Sequence, residues 1–185
     1  MIEVRFHGRG GQGVVVASEV LAKAAFRMGL EVSSFPFFGV ERRGAPVTAY
    51  ARIDSKPIRI RSSIYEPDYV IVLDSALLKA VDVLEGLKPG GKVLVNYPDG
   101  VKLEGLPNTC RRFRIDATAI AAAHGIGSLT APIVNTAIMG GFAKICDTVS
   151  LESILESIRD LAPSKKEENV AAAREAYEKT SEVVE

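Results

Sequence analysis

The sequence predicts an α/β protein with a mostly parallel sheet that is flanked by helices and carries an antiparallel hairpin insertion. Segments with strand-type apolar runs alternate along the chain with segments whose apolar residues have helical spacing. The continuous apolar run Tyr69–Leu73 is typical of a strand that is buried on both faces of a parallel sheet. Val47–Ile53 and Ile58–Arg61 are two alternating runs on either side of a turn that contains Pro57, and they predict the hairpin.

Each element follows from its apolar spacing and from the turn and capping residues beside it. The first strand, Ile2–His7, leads through a glycine-rich turn into the helix Val14–Met28, and a second strand covers Leu30–Ser34. Asp74 is suited to cap a helix after the next buried strand. We predict the remaining elements as a helix over 76–84, strands over 92–96 and 113–115, a helix over 116–123, a helix from Pro132 to Cys146, and helices over 151–161 and 165–183.

The length of 185 residues predicts one domain with a small addition. We place the α/β domain at residues 1–162 and a C-terminal helical appendage at 163–185, with Pro163 and Ser164 as the candidate hinge between them. Apolar residues make up 47% of the chain, which is enough to form a substantial core.

The charge balance restricts the classes of partner. Lys and Arg together number 23, and so do Asp and Glu. This balance argues against nucleic acid as a partner, because nucleic-acid-binding domains carry a basic excess. The sequence has no apolar run long enough to span a membrane and begins directly with a charged strand. We therefore expect neither a membrane anchor nor a signal peptide, and a cytoplasmic location.

The most informative motif is the turn between the first strand and the first helix, which consists of Gly8, Arg9, Gly10, Gly11, Gln12 and Gly13. Such a turn presents backbone N–H groups and the positive end of the helix dipole, and it binds anions such as phosphate. The alternative is that the glycines only allow a tight turn into a closely packed helix. His7 precedes the turn, where it could donate a hydrogen bond to an anion or serve as a hydrogen-bonded core residue.

The surroundings of the glycine turn argue against two common ligands. NAD and FAD need an acidic residue at the end of the second strand, where this chain has Ser33 and Ser34. A nucleoside triphosphate needs a lysine after the last glycine, where this chain has Val14 and Val15. The turn therefore predicts an anion or a partner chain rather than either nucleotide.

A second unusual segment follows the second strand and combines phenylalanines with Glu41, Arg42, Arg43 and Gly44. Aromatic residues and arginines are enriched at protein interfaces, and arginines also bind phosphates and carboxylates in a bidentate manner. The alternative is a local ion pair between Glu41 and an arginine that braces the loop.

Elsewhere the sequence offers little chemistry. It has no serine, histidine and aspartate set and no metal-binding cysteine pattern, so we expect the isolated chain to be inactive. Cys110 and Cys146 are interpreted as reduced, buried cysteines. Asn135 and Thr136, together with the small residues over 139–142, are interpreted as a helix side that packs closely against another element.

These segments resemble the gamma subunits of 2-oxoacid:acceptor oxidoreductases, of the pyruvate:ferredoxin oxidoreductase type. The resemblance spans about residues 1–147, and its most specific part is the glycine turn combined with the Glu-Arg-Arg-Gly-Ala segment. The other matching segments are 65–74 and 132–144.

The resemblance implies a subunit of a heteromeric enzyme that decarboxylates a 2-oxoacid, transfers the acyl group to coenzyme A and passes electrons to ferredoxin. Thiamine diphosphate and iron–sulfur clusters would then lie on alpha, beta and ferredoxin-like delta partners, and this chain would be structural or would help to bind coenzyme A. The candidate binding residues are Gly8, Arg9, Gly10, Gly11, Gln12, Gly13, Glu41, Arg42, Arg43 and Gly44. The alternative role for both loops is an assembly surface against the alpha subunit.

Three other interpretations stay open. The first is the small subunit of an indolepyruvate or 2-oxoisovalerate ferredoxin oxidoreductase. The second is a free nucleotide-binding Rossmann-like module, which the serines at the end of the second strand disfavour. The third is an independent acyltransferase or hydrolase, which the lack of a nucleophile–base pair disfavours.

Overall fold

The computed structural model describes residues 1–37, 44–128 and 130–184. Its elements in chain order are β1 (Ile2–Arg9), α1 (Val14–Arg27), β2 (Glu31–Phe37), β3 (Pro46–Asp54), β4 (Tyr69–Val72), a 3₁₀ helix (Ser75–Lys79), β5 (Lys92–Asn96), β6 (Arg111–Ile115), α2 (Ala117–Ala123), β7 (Gly127–Ser128), β8 (Ala131–Pro132), α3 (Asn135–Ile145), α4 (Leu151–Leu161), α5 (Lys166–Lys179) and β9 (Ser181–Glu182).

The main sheet has the strand order β2-β3-β1-β4-β5-β6-β9. The central strands β1, β4, β5 and β6 are mutually parallel, whereas β2, β3 and β9 join antiparallel at the two sides. A separate short hairpin pairs β7 with β8. The predicted fold class is therefore confirmed. β2 continues through Pro36, which an edge strand tolerates because its outer N–H positions need no partner in the sheet.

The two faces of the sheet are covered differently. On the face that we call the helix face, alternate residues of the central strands pack against α1 and α3 in one large apolar core, which includes Val4, Phe6, Ile71, Leu21 and Ile138. On the opposite face, called the loop face, the cover is the 3₁₀ helix and irregular chain, and the apolar cluster is smaller. Neighbouring strands β1 and β4 thus lead into connections on opposite faces, an arrangement that opens a crevice at the carboxyl edge of a parallel sheet.

The predicted hairpin is only half correct. β3 confirms the run Val47–Ile53, but residues 58–61 form no strand, and β3 pairs with β1 and β2 instead. The physical reason is Arg52, which is buried on the loop face and donates to the carbonyl oxygens of Ile60 (3.5 Å) and Ser62 (2.8 Å). The carbonyl groups of this segment are therefore satisfied by a side chain rather than by a ladder of backbone hydrogen bonds.

The predicted helix over 76–84 is also wrong in length. Only the 3₁₀ turn Ser75–Lys79 forms, with Asp74 as its N-cap, as the sequence predicts. Beyond it, the carbonyl oxygens of Val83 and Glu85 accept hydrogen bonds from the Arg5 guanidinium, at 3.0 and 2.5 Å. These carbonyl groups point into the sheet instead of along a helix axis.

The ends of two further predicted helices shift. Pro132 lies in β8, and α3 begins at Asn135. The last helix, α5, ends at Lys179, and the chain then adds β9 to the edge of the sheet against β6.

The described part of the segment 163–185 belongs to the helix-face core through α5. Ala172, Ala173 and Ala176 are fully buried there, and α5 lies directly against Gly140 of α3. The boundary between residues 162 and 163 stays a prediction. Within the described ranges, no helix combines the length and the apolar character that a membrane span requires.

Candidate functional site

The glycine turn lies at the carboxyl edge of the sheet, between β1 and α1. Gly11 and Gly13 have φ values of 93° and 75°, a left-handed conformation that favours glycine. Gly13 is the N-cap of α1, and no side chain caps this helix. Gly11 is exposed to solvent. The turn therefore presents an accessible and uncapped helix N-terminus.

The amide groups of Gly11, Gly13 and Val14 donate to no group in the described parts of the chain. Four amides at the start of a helix have no intrahelical partner, and they are met by a cap, by water or by a ligand. Because the helix dipole places a partial positive charge at the same end, these amides favour an anion.

Gly8 has a packing role. It is buried within β1, and a Cβ atom on it would lie 2.4 Å from Cγ2 of Val14. Only glycine therefore lets the strand pass this close to the helix that follows. The packing interpretation of the turn therefore fits Gly8, whereas Gly11 and Gly13 shape the exposed turn.

Asp74, at the end of β4, holds the turn in place. Its Oδ2 atom accepts from Arg9 Nε (2.9 Å) and from Gln12 Nε2 (3.0 Å), while Oδ1 caps the 3₁₀ helix through the Ala76 amide (2.9 Å). Gln12 Oε1 in turn accepts from the Arg9 amide at 2.7 Å. The sequence identified Asp74 only as a cap, because its distance from the turn along the chain hides this contact.

Arg9 is consequently engaged within the protein. Besides its ion pair with Asp74, its Nη1 atom donates to the carbonyl oxygen of Gly44 at 3.0 Å. Since both groups hold the guanidinium, Arg9 places a positive charge at the side of the turn, and the donors left open at the turn in the described residues are backbone amides.

The described end of the second sequence segment, Gly44 and Ala45, lies beside the glycine turn. The Gly10 amide donates to the carbonyl oxygen of Ala45 (2.9 Å), and the Gly44 amide donates to that of Gly10 (3.3 Å). Gly44 therefore lies against the glycine turn, beside the candidate residues of that turn. Glu41, Arg42 and Arg43 lie outside the described residues.

A second helix N-terminus adjoins the first. Asn135, the first residue of α3, packs on Gly13 so closely that a Cβ atom there would lie 2.1 Å from the Asn135 Nδ2 atom. At its other end α3 approaches the amino edge of the sheet, where Lys92 Nζ donates to the carbonyl oxygen of Ile145 at 2.7 Å. α1 and α3 thus run side by side with both N-termini at the carboxyl edge, and their dipoles add at the turn.

His7 faces away from this pair of helices. The alternation along β1 places Arg5 and His7 on the loop face, where Arg5 Nε donates to His7 Nε2 at 3.1 Å. Burial, and then the neighbouring positive charge of Arg5, lower the pKa of His7 to about 3. The ring is therefore neutral at pH 7 and carries its proton on Nδ1, because Nε2 is the acceptor.

The two cysteines lie on opposite faces of the sheet. Cys146 is part of the helix-face core, whereas Cys110 packs against the cluster on the loop face. Burial raises the pKa of both thiols. Their positions do not fit joint ligation of an iron–sulfur cluster.

Comparisons with known proteins agree with this architecture. The family Pyruvate ferredoxin/flavodoxin oxidoreductase matches residues 3–179. This chain belongs to that family. The pyruvate/ketoisovalerate oxidoreductases common subunit gamma of Pyrococcus furiosus is 57% identical over 184 residues, which cover 97% of each chain. The pyruvate synthase subunit PorC of Methanothermobacter marburgensis is 51% identical over 180 residues, which also cover 97% of each chain.

A solved structure is similar over its whole length. The pyruvate oxidoreductase subunit PORC of Thermotoga maritima is 33% identical and has a TM-score of 0.81, and the match covers 99% of this chain and 98% of that one. The identification as a gamma-type subunit of the 2-oxoacid oxidoreductases is thereby confirmed. Such a subunit has partner chains.

Proposed function

We propose that this chain is the gamma subunit of a heteromeric pyruvate:ferredoxin oxidoreductase and that its glycine turn, with Gly44 beside it, binds a phosphate group of coenzyme A. Alpha, beta and ferredoxin-like delta partners carry thiamine diphosphate and the iron–sulfur clusters in this proposal, and ferredoxin accepts the electrons. The assembly is cytoplasmic.

One observation carries the coenzyme A role. An exposed glycine turn, with amides that have no partner in the described residues, lies where the N-termini of α1 and α3 meet. Backbone amides at a helix N-terminus suit phosphate oxygens, and coenzyme A is the phosphate-bearing substrate of the reaction. In this proposal the chain's own contribution is binding and orientation, because Asp74, the carboxylate that contacts the turn, is already paired with Arg9 and Gln12.

Substrate selection falls to the partner subunits in this proposal. The relative from Pyrococcus furiosus carries both pyruvate and ketoisovalerate in its name, as a subunit common to two enzymes. We therefore expect the same gamma chain to support oxidation of pyruvate and of 2-oxoisovalerate, according to the alpha and beta chains present.

The test uses the purified complex with Gly11 replaced by Asp or by Asn. Gly11 has open space around it, and at its φ of 93° Asp and Asn carry similar backbone strain, which these two residue types bear better than other L residues. The pair differs by one negative charge beside the proposed phosphate, so G11D should raise the KM for coenzyme A about tenfold over G11N. The KM for pyruvate should stay equal in the two variants.

The same preparations separate the proposal from the assembly alternative. Both variants should retain all partner chains on purification. Loss of partners from G11D, with an unchanged KM for coenzyme A in the complex that remains, would identify the turn as an assembly surface and refute its role in coenzyme A binding.

A further inference from the structure

The amide side chain of Asn135 has an orientation that its contacts determine. Its Oδ1 atom accepts a hydrogen bond from the Thr136 amide at 2.8 Å. Because a backbone N–H only donates, the atom that faces it must be the oxygen, and Nδ2 therefore points to the other side, over Gly13. The N–H groups of Asn135 are thus presented beside the uncapped start of α1.

Asn135 is 7% exposed, yet its Nδ2 atom donates to no group in the described parts of the chain. In those parts, every fully buried side-chain nitrogen or oxygen has a hydrogen-bond partner. Nδ2 must therefore keep a small contact with solvent. A nearly buried donor that is fixed on one side and open on the other is suited to contact a ligand, because its orientation costs little entropy on binding.

The charges around this donor favour an anion. The N-termini of α1 and α3 both lie at this point, and neither helix has a side-chain cap. The carboxylate of Asp74 also contacts the turn, but its negative charge is paired with Arg9, and it accepts a further hydrogen bond from Gln12. The donor therefore adds to two helix dipoles rather than opposing them.

We propose that Asn135 is a ligand-binding residue whose Nδ2 group donates to a phosphate oxygen of coenzyme A, alongside the amides of Gly11 and Gly13. This inference rests on the proposed function and adds a residue to its site. It also accounts for Gly13, since any larger residue there would occupy the space of the Asn135 amide.

The experiment replaces Asn135 with Asp in the intact complex. The carboxylate keeps an oxygen for the Thr136 amide and is favourable at the first turn of α3, so the thermal unfolding temperature should not fall. In the site it replaces a donor by a negative charge. The KM for coenzyme A, and the inhibition constant of inorganic pyrophosphate against coenzyme A, should both rise about tenfold or more, with the KM for pyruvate unchanged.

The matched control is Asn108→Asp, which adds the same charge in an exposed loop before β6, at the amino edge of the sheet. It should change neither constant. If N135D binds coenzyme A and pyrophosphate like the wild type while G11D binds them weakly, the role of Asn135 is refuted and the proposed function stands. If both variants leave these constants unchanged, both proposals fail. A lower unfolding temperature in N135D with unchanged constants would indicate a purely structural residue.

Discussion

On the helix face, the sheet is held by apolar side chains that interlock with α1 and α3, whereas on the loop face a smaller apolar cluster is combined with buried arginines. Two of these arginines, Arg5 and Arg52, extend from β1 and β3 and bind carbonyl groups of the irregular chain above them. The helix face thus depends on shape and apolar area, and the loop face depends in addition on satisfying polar groups in a site of low dielectric constant. The comparison predicts different responses to mutation.

The largest effect is expected from Arg52→Met, which tests the loop face. Arg52 is 2% exposed, and its loss would leave Glu3 and the carbonyl groups of Ser62 and Ser63 without their donor. We expect a loss of about 3 kcal/mol or more in the free energy of unfolding, measured by urea titration. Arg59→Met, at an exposed position, should change it by less than about 0.5 kcal/mol. Equal effects of the two variants would contradict the assigned role.

Gly140→Ala tests the packing of the helix face. A Cβ atom there would lie 1.8 Å from the backbone oxygen of Ala173, so α3 and α5 would have to move apart. We expect destabilisation of about 2 kcal/mol by the same titration. The neighbouring Gly141→Ala should cost less, because its Cβ would lie farther, at 2.7 Å, from its nearest neighbour, the side-chain oxygen of Thr180. A smaller loss for G140A than for G141A would show that the helices separate easily.

The smallest effect concerns protonation on the loop face. In the folded chain the pKa of His7 is about 3, below its usual value of 6.5, so the unfolded chain binds more protons between these values. The stabilisation that neutral His7 contributes is fully present above pH 6.5, and it is lost as the pH falls from 6.5 toward 3. Between pH 7 and 5.5 we expect a loss of about 1 kcal/mol in the wild type.

His7→Gln is the control for this prediction, because glutamine can still accept from Arg5 but does not titrate. Its free energy of unfolding should vary less over the same interval, where carboxylates titrate little. A pH profile identical to that of the wild type would show that the pKa of His7 is not lowered in the folded chain.

The two faces also explain what the sequence could predict. α1, α4 and the central strands follow from apolar periodicity, because apolar packing forms them. The segments over 58–61 and 76–84 were mispredicted, since long-range bonds from Arg52 and Arg5 determine their backbone. A signal was present: both arginines alternate with buried apolar residues, Arg5 in β1 and Arg52 in β3, where a charged side chain needs many partners.

The candidate site also contains some features that the sequence could predict and others that it could not. The glycine turn was predictable because local conformation requires glycine at Gly11 and Gly13. The contacts of Asp74 and Asn135 were not, because they depend on β4 and α3 being brought to the turn from distant parts of the chain. Gly44 was selected from its sequence motif, and the structure places it against the turn.

The position of β1 has a consequence for synthesis of the chain. β1 is a central strand whose partners, β3 and β4, end at Asp54 and Val72. Both of its ladders therefore stay incomplete during synthesis until the segment through Val72 has been made. β2, β3 and β1 can pair as soon as β3 has been made, whereas β4, β5, β6 and β9 follow in the same order along the chain and across the sheet. The sheet is thus extended during synthesis from the β2 side toward β9.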